Sequence, residues 1–587
     1  MSLQPRFTTP RVHREATQRR SHPMRKIYFS CLALAIAAGC APRDTVKTED
    51  APAQAEASEL LDTVEVAGAR LERRERDLMA QTLAAEPASA AIANVAAPPP
   101  ATLAVTAPAN TERYAEINDS GIVRTAEQPV STFSIDVDTG SYSNVRRFLA
   151  QGQLPPKDAV RVEEMINYFD FGYPGPANRR EPFAVSTELA PAPWNQKRLL
   201  LQVGIQGYDV AASEVPASNL VFLIDTSGSM DAPDKLPLLK DSFRQLVPQL
   251  RAQDRVSIVV YAGSAGLVLP PTPGNQHDAI LAALNQLQAG GSTNGGEGID
   301  LAYAMAKQAF VPGGVNRIVL ATDGDFNVGI YDPRALETKV EQGREAGIAL
   351  TTLGFGQDNY NEALAERLAD VGDGNHAYID SLLEGRKVLV QEMTATLLTI
   401  ASDVKIQMEF NPALVAEYRL IGYENRRLAR EDFNNDQVDA GEIGAGHDVT
   451  ALYEISLVGS GGEASDPLRY GAAAGGGARG GELAHLKLRY KLPGSDRSVL
   501  MQRPVTRDQR QPHPSENLRF AAAVAAYADL LRGGEHVNGY GWPQVETLAR
   551  GARGEDTWGY RAEFLKLAAQ ARSLSAASPP TVLVSQE

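Results

Sequence analysis

The chain has 587 residues, 43% hydrophobic and 22% charged, which is enough for two or three domains with cores of their own. Its formal net charge is −15, and an acidic body excludes nucleic acid, because phosphate binding needs a basic face. Both cysteines, Cys31 and Cys40, stand near the start, so the rest of the chain holds no disulfide, no Cys-ligated zinc and no thiol nucleophile.

The charge is unevenly placed. Seven Lys/Arg against the single acid Glu15 make the segment before Cys40 +6, which leaves −21 on residues 40–587. Met24 to Cys40 has a short basic start, about a dozen apolar residues and small residues at its end, the pattern of a secretory signal. The run is shorter than the roughly 20 residues of a permanent membrane span. Ala37-Ala38-Gly39-Cys40 resembles a bacterial lipobox. That resemblance implies lipidation of Cys40 and a lipid anchor as the chain's contact with membrane. An ordinary signal peptide cut near Ala38 is the alternative. Ala41, in place of Asp, implies sorting to the outer membrane by the rule for such signals. Residues 1–23 fit no signal pattern, and translation is expected to start at Met24. Residues 41–110, rich in Ala, Pro, Thr and Glu, read as a disordered tether reaching roughly 45–50 Å. Glu59 to Ala80 has helical periodicity within it.

In the body, Thr132–Val137 and Leu199–Ile205 read as strands, Tyr142–Leu149 and Val160–Phe169 as helices. From Asn219 to Leu397, apolar strands alternate with helix-period segments. The strands are Asn219–Ile224, Arg255–Tyr261, Arg317–Thr322, Ile348–Gly354 and His376–Ile379. The helices are Leu236–Leu250, Ala279–Leu287, Gly298–Phe310, Arg334–Ala346, Glu362–Val371 and Leu383–Leu397. Such alternation predicts an α/β, doubly wound, mostly parallel sheet with helices on both faces, whose ligands bind at the carboxyl ends of its strands. After residue 399 strands return at Ile406–Phe410, Val449–Leu457 and Leu483–Tyr490. A Gly-rich loop spans Gly459–Gly481, and helices follow at Glu516–Leu531, Gln544–Leu548 and Tyr560–Ala571. The fold class expected is therefore α/β with β-rich α+β flanks and C-terminal helices.

Three motifs sit where the strand-end rule points. They are Asp225-Thr-Ser227-Gly-Ser229, Gly290-Gly-Ser-Thr293-Asn and Thr322-Asp323-Gly324. Two carboxylates and three hydroxyls make an all-oxygen set, the chemistry that hard cations such as Mg²⁺ take. Gly228 is expected to let the first turn close. With only two charged groups among five, a bound ion keeps positive charge that an acidic side chain of a partner completes. Asp325 beside the set reads as a solvated loop acid.

Together the motifs resemble the metal-ion-dependent adhesion site of von Willebrand factor type A domains. That resemblance implies direct metal ligation by Ser227, Ser229 and Thr293, with Asp225 and Asp323 acting through waters or hydrogen bonds. Ser131 to Asp138 with Asn144 to Leu149, Val162 to Phe169, and Asp439 to His447 look like the flanks of the YfbK-like group of secreted bacterial von Willebrand A proteins, over residues 111–575. The implied organisation is a signal segment 1–39, a lipidated tether 40–110, an N-terminal flanking domain 111–215, an A domain 216–398, a C-terminal β-rich and helical domain 399–575, and a tail 576–587. The function expected is Mg²⁺-dependent (or Mn²⁺- or Ca²⁺-dependent) binding of a protein with an exposed acidic residue, by a lipid-anchored protein of the bacterial envelope. A scaffold stabilised by its metal is the alternative. A metal-assisted hydrolase needs a positioned base, none is found beyond the site acids, and no enzyme is expected.

Two look-alikes are set aside. Asp138-Thr-Gly-Ser141 has no second copy to form an aspartic-protease pair, and reads as a turn into a helix. Asp432 to Glu442 begins like a calcium loop, but Gln437 and Ile443 occupy the positions that need Gly and an acid, so it reads as a solvated acidic loop. His447, in a Gly-rich turn, reads as structural.

Overall fold

The computed structural model describes residues 114–119, 121–211, 213–291, 295–324, 333–357, 361–465, 481–495, 497–537 and 539–577. These lie in one compact unit, Val105–Glu587. The signal segment, Cys40, the tether with Glu59 to Ala80, Thr293, Asp325 and most of the Gly-rich loop fall outside the described residues. Among the described residues no helix is long and apolar enough to cross a membrane.

The middle of the chain forms the expected doubly wound sheet. Its strand order is β10 (His376–Ile379), β9 (Ala349–Phe355), β8 (Val315–Thr322), β5 (Ser218–Asp225), β6 (Arg255–Tyr261) and β7 (Ala265–Pro273). All neighbours are parallel except β7, which runs antiparallel at the edge. The central β5 is buried along its whole length. Its alternate residues supply two cores: Leu220, Phe222 and Ile224 on one face, Val221 and Leu223 on the other. Helices cover both faces. In Leu236–Leu246, Leu236, Leu239, Phe243 and Leu246 form one buried stripe at helical spacing. Leu383–Leu397, expected as one helix, is broken into Leu382–Arg386, a π-helical turn Lys387–Gln391, and Met393–Leu397.

The two flanks do not fold apart. They share both sheets of an antiparallel sandwich. One sheet runs β1 (Val123–Arg124), β12 (Val415–Ile421), β14 (Asp448–Leu457), β4 (Asn195–Gly207), β3 (Phe183–Ala192). The other runs β13 (Ile443–Gly444), β11 (Thr399–Phe410), β15 (Glu482–Lys491), β16 (Ser498–Thr506), with β2 (Val130–Ser134) also paired to β11. Segments 111–215 and 399–575 thus form one β-rich platform into which the doubly wound domain is inserted. Between the sheets lies a continuous apolar core, in which Phe410 of β11 stacks on Tyr418 of β12 at 4.3 Å. Against the outer face of the first sheet pack helices Gly140–Ala150, Val162–Asn167, Glu516–Arg532, Trp542–Arg550 and Tyr560–Ala577. Ser515 caps the long Ala-rich helix by accepting the Leu518 N–H at 3.1 Å.

The inserted domain is held to the platform by three buried arginines. Arg146 reaches Asp380, Glu384 at 2.6 Å and Glu563 at 2.8 Å. Arg161 reaches Glu164 at 2.9 Å, Glu366 at 2.7 Å and Glu362 at 3.3 Å. Arg426 reaches Asp370 at 2.7 Å, Glu366 at 3.1 Å, Asp138 at 3.2 Å and Asp136 at 3.4 Å. Asp138 also accepts the His376 N–H at 2.8 Å, so the protease-like Asp-Thr-Gly is a structural turn into helix Gly140–Ala150, as read from the sequence.

Two consequences are measurable. Arg426→Ala leaves four carboxylates without their shared cation and should cost about 3–5 kcal/mol in denaturant unfolding; a loss below about 1 kcal/mol contradicts a buried role. Burial pushes the Glu362 carboxyl up to about 8 against the pull of Arg161. An unfolded glutamate ionises near 4.5, so the folded chain holds this proton more tightly, and the contribution to stability falls as pH rises between those values. Glu362→Gln keeps the uncharged form. Its melting temperature relative to the parent should therefore rise between about pH 5 and about pH 9.

Candidate metal centre

The first motif is built at the end of the central strand. Asp225 closes β5 and is fully buried. Its Oδ1 accepts the Ser227 N–H at 2.8 Å, a short-range turn that carries the chain over the strand end. The next residues form a 3₁₀ turn, Gly228–Asp231. That turn swings Ser229 Oγ to 2.9 Å from Ser227 Oγ. Gly228 therefore sits in right-handed backbone, and the freedom expected of it is used elsewhere: Gly291 (φ 86°) and Gly324 (φ 88°) take the left-handed region.

Backbone bonds draw the second motif to the first. Gly228 N–H donates to Gly291 O at 3.1 Å, and Gly290 N–H to Thr226 O at 2.8 Å. Thr293 follows this anchored pair by two residues. The third motif arrives on the adjacent strand. Ile224 pairs in register with Ala321, so Thr322 stands level with Asp225 and Asp323 is one step beyond. Thr322 Oγ1 lies 3.4 Å from Asp225 Oδ2. Four of the five residues expected at the site, Asp225, Ser227, Ser229 and Asp323, are thus gathered at the carboxyl ends of two neighbouring parallel strands.

Burial pushes the Asp225 carboxyl up to about 6; hydrogen bonds from Ser227 pull it down, and the Asp323 charge pushes it further up. Asp323 is fully buried, and Lys235 Nζ donates to its Oδ2 at 2.9 Å. Lys235 itself is buried at the start of helix Leu236–Leu246. Gly356, at φ 72°, leaves the room its chain occupies: a Cβ there would meet Lys235 Cε at 2.2 Å. Sequence reasoning missed this lysine. The signal was present, a lone cation ten residues after the first aspartate in a motif otherwise acidic, but only the fold shows which carboxylate it meets.

The donor set suits a small hard cation. Ligands at 2.0–2.1 Å on adjacent corners of an octahedron stand about 2.9 Å apart, the separation of the two serine hydroxyls. A second group, Asp373, Asp439 and Glu442, also converges. There Arg344 lies 2.7 Å from Asp439 and 3.5 Å from Asp373, so two of the three carboxylates already have a cation of the protein. In the loop that begins like a calcium site, Asp436 accepts from Arg489 at 3.0 Å and from Ser498.

Comparison with known proteins agrees with the architecture. Residues 219–392 match the von Willebrand factor type A domain family, residues 108–202 a von Willebrand factor family, and residues 395–574 the family described as "Uncharacterized protein YfbK, C-terminal". The chain is similar to "Uncharacterized protein YfbK" of Escherichia coli (strain K12), 52% identical over 466 residues, covering 78% of this chain and 80% of that one. It is also similar to the human inter-alpha-trypsin inhibitor heavy chain H3, 25% identical over 267 residues, 41% of this chain and 29% of that one. Among solved structures, a von Willebrand factor type A protein from Catenulispora acidiphila matches at TM-score 0.39 and 16% identity, over 68% of this chain and 91% of that one.

The buried lysine sets a test of the site's electrostatics. Lys235→Met removes the cation beside a carboxylate with no solvent exposure. In chelator, unfolding by denaturant should show a loss of about 3–5 kcal/mol. An unchanged unfolding curve contradicts the pairing.

Proposed function

The chain belongs to the YfbK family of von Willebrand factor type A proteins, and we propose that it binds a protein partner through a Mg²⁺-type ion held at the carboxyl end of its doubly wound sheet. One observation carries this reading: two serine hydroxyls 2.9 Å apart, beside two buried carboxylates, on adjacent strand ends. Ser227 and Ser229 would hold the ion directly, with Thr293 as a third hydroxyl. Asp225 and Asp323 would orient the shell and balance its charge. Bound there, the ion supplies Lewis acidity toward an acidic side chain of the partner. Mn²⁺ or Ca²⁺ could take the same oxygens.

The setting proposed is the bacterial envelope, with Cys40 lipidated and the platform carried on the tether at the outer membrane. We propose binding rather than catalysis, because among the described residues no base beyond the site acids is positioned beside the donor set.

Calorimetric titration with Mg²⁺ and Mn²⁺ should show one saturable site in the parent. Ser227→Ala or Asp225→Ala should lose it while keeping the far-ultraviolet spectrum. Affinity capture from envelope extract should recover a partner in Mg²⁺, and not in chelator or with Thr293→Ala. Metal binding without metal-dependent capture would favour the scaffold reading. Capture that persists in chelator overturns the binding mechanism.

A further inference from the structure

A second site lies where the inserted domain meets the platform, in a cavity of about 970 Å³. It shares no residue with the metal centre. Its walls come from the loop after helix Val162–Asn167, from the end of β4, from the π-helical turn Lys387–Gln391, from the turn before β14, and from Trp558 and Tyr560. Cavities for apolar ligands are lined mainly by hydrophobic side chains. This one mixes polar and charged groups with aromatic and small apolar residues.

Exposed Asp170, Arg179 and Asp209 also line it, and the inner wall offers hydrogen-bonding groups. Gln391 Nε2 and His447 Nδ1 are buried and have no hydrogen-bond partner among the described residues. Buried polar atoms of this kind call for a partner. Gln391 Oε1 is already used, accepting from Tyr560 Oη at 2.8 Å, which fixes the amide's orientation. The buried Lys387 is neutralised by Glu392 and lies 4.3 Å from the Tyr168 ring centre. Asp448 accepts the Phe171 N–H at 2.7 Å, and burial, with the Asp170 charge nearby, pushes its carboxyl up to about 8. Trp558 brings a large aromatic face that is 51% exposed, with the Arg386 guanidinium 5.0 Å from its ring centre.

We propose that this cavity binds a neutral saccharide, its ring face against Trp558 and its hydroxyl or acetamido groups on Gln391, His447 and Asp448. Sugar rings present C–H faces to aromatic side chains and paired donors and acceptors to planar amides, imidazoles and carboxyls. Buried unmatched polar atoms beside an exposed indole suit such a ligand better than a hydrocarbon.

The test uses the full chain in chelator, which separates it from the metal reading. Triacetylchitotriose, cellotriose and maltotriose, with tri-alanine as a peptide control, are titrated by calorimetry and by tryptophan fluorescence. At least one saccharide should bind saturably, and tri-alanine should not. Gln391→Ala and Trp558→Ala should each weaken that binding about tenfold, the effect of one lost hydrogen bond or ring contact, with the melting temperature of Trp558→Ala unchanged. The exposed Trp558 keeps the test valid if Gln391→Ala folds poorly. Absence of saturable saccharide binding up to millimolar concentration, binding that Trp558→Ala leaves intact, or binding of the peptide alone overturns the proposal.

Discussion

The buried contacts of Arg146, Arg161 and Arg426 are the constraint on which the rest of the structure depends. The inserted domain enters after β4, in one sheet of the sandwich, and leaves into β11, in the other. Two chain crossings alone would leave it free to turn. Arginine forks shared among carboxylates of both parts remove that freedom, because a displaced arginine strands several buried charges at once. Replacing such clusters with apolar groups need not cost stability. What they supply is orientation: they are directional where apolar packing is not, and they set how the strand ends of the inserted domain face relative to the platform.

This construction also sets what was legible in the sequence. Elements governed by local pattern were read to within a few residues: β6, β10 and helix Glu362–Val371 fall where hydrophobic period places them. Strand β7 was missed because Leu269-Pro270-Pro271-Thr272-Pro273 reads as a strand breaker, and only an edge position tolerates those prolines. The break at Lys387–Gln391 was invisible because a π-turn adds one residue to a helix without changing its composition. The shared sandwich was beyond pattern altogether. Phe133 pairs with Ile406 across the whole inserted domain, and nothing near either residue announces the other.

The convergence of the motifs was more legible than the fold around them, for a physical reason. Their residues must sit on tight turns at strand ends, so each motif is short and contiguous, and the spacing between motifs follows from the alternation of strand and helix. The cavity was not legible in the sequence: His447 shares its lining with Gln391, Lys387 and Trp558, which come from elements 56 or more residues away.

Lys235 changes the charge balance at the metal centre. The residual positive charge expected from the motifs is not supplied by Asp225 and Asp323 themselves, whose two formal charges would balance a divalent cation. With Lys235 held 2.9 Å from Asp323, the protein contributes one net negative charge where the sequence suggested two. The proposed divalent ion would there keep about one unit of positive charge, beside buried residues where solvent screens poorly. Exposed Asp231 nearby is screened and offsets little of it. Helix Leu236–Leu246, which begins at Lys235, thus does more than cover one face of the sheet. By burying Lys235 against Asp323 it would keep the site short of neutrality once the proposed ion is bound, and a partner's carboxylate would fill that shortfall.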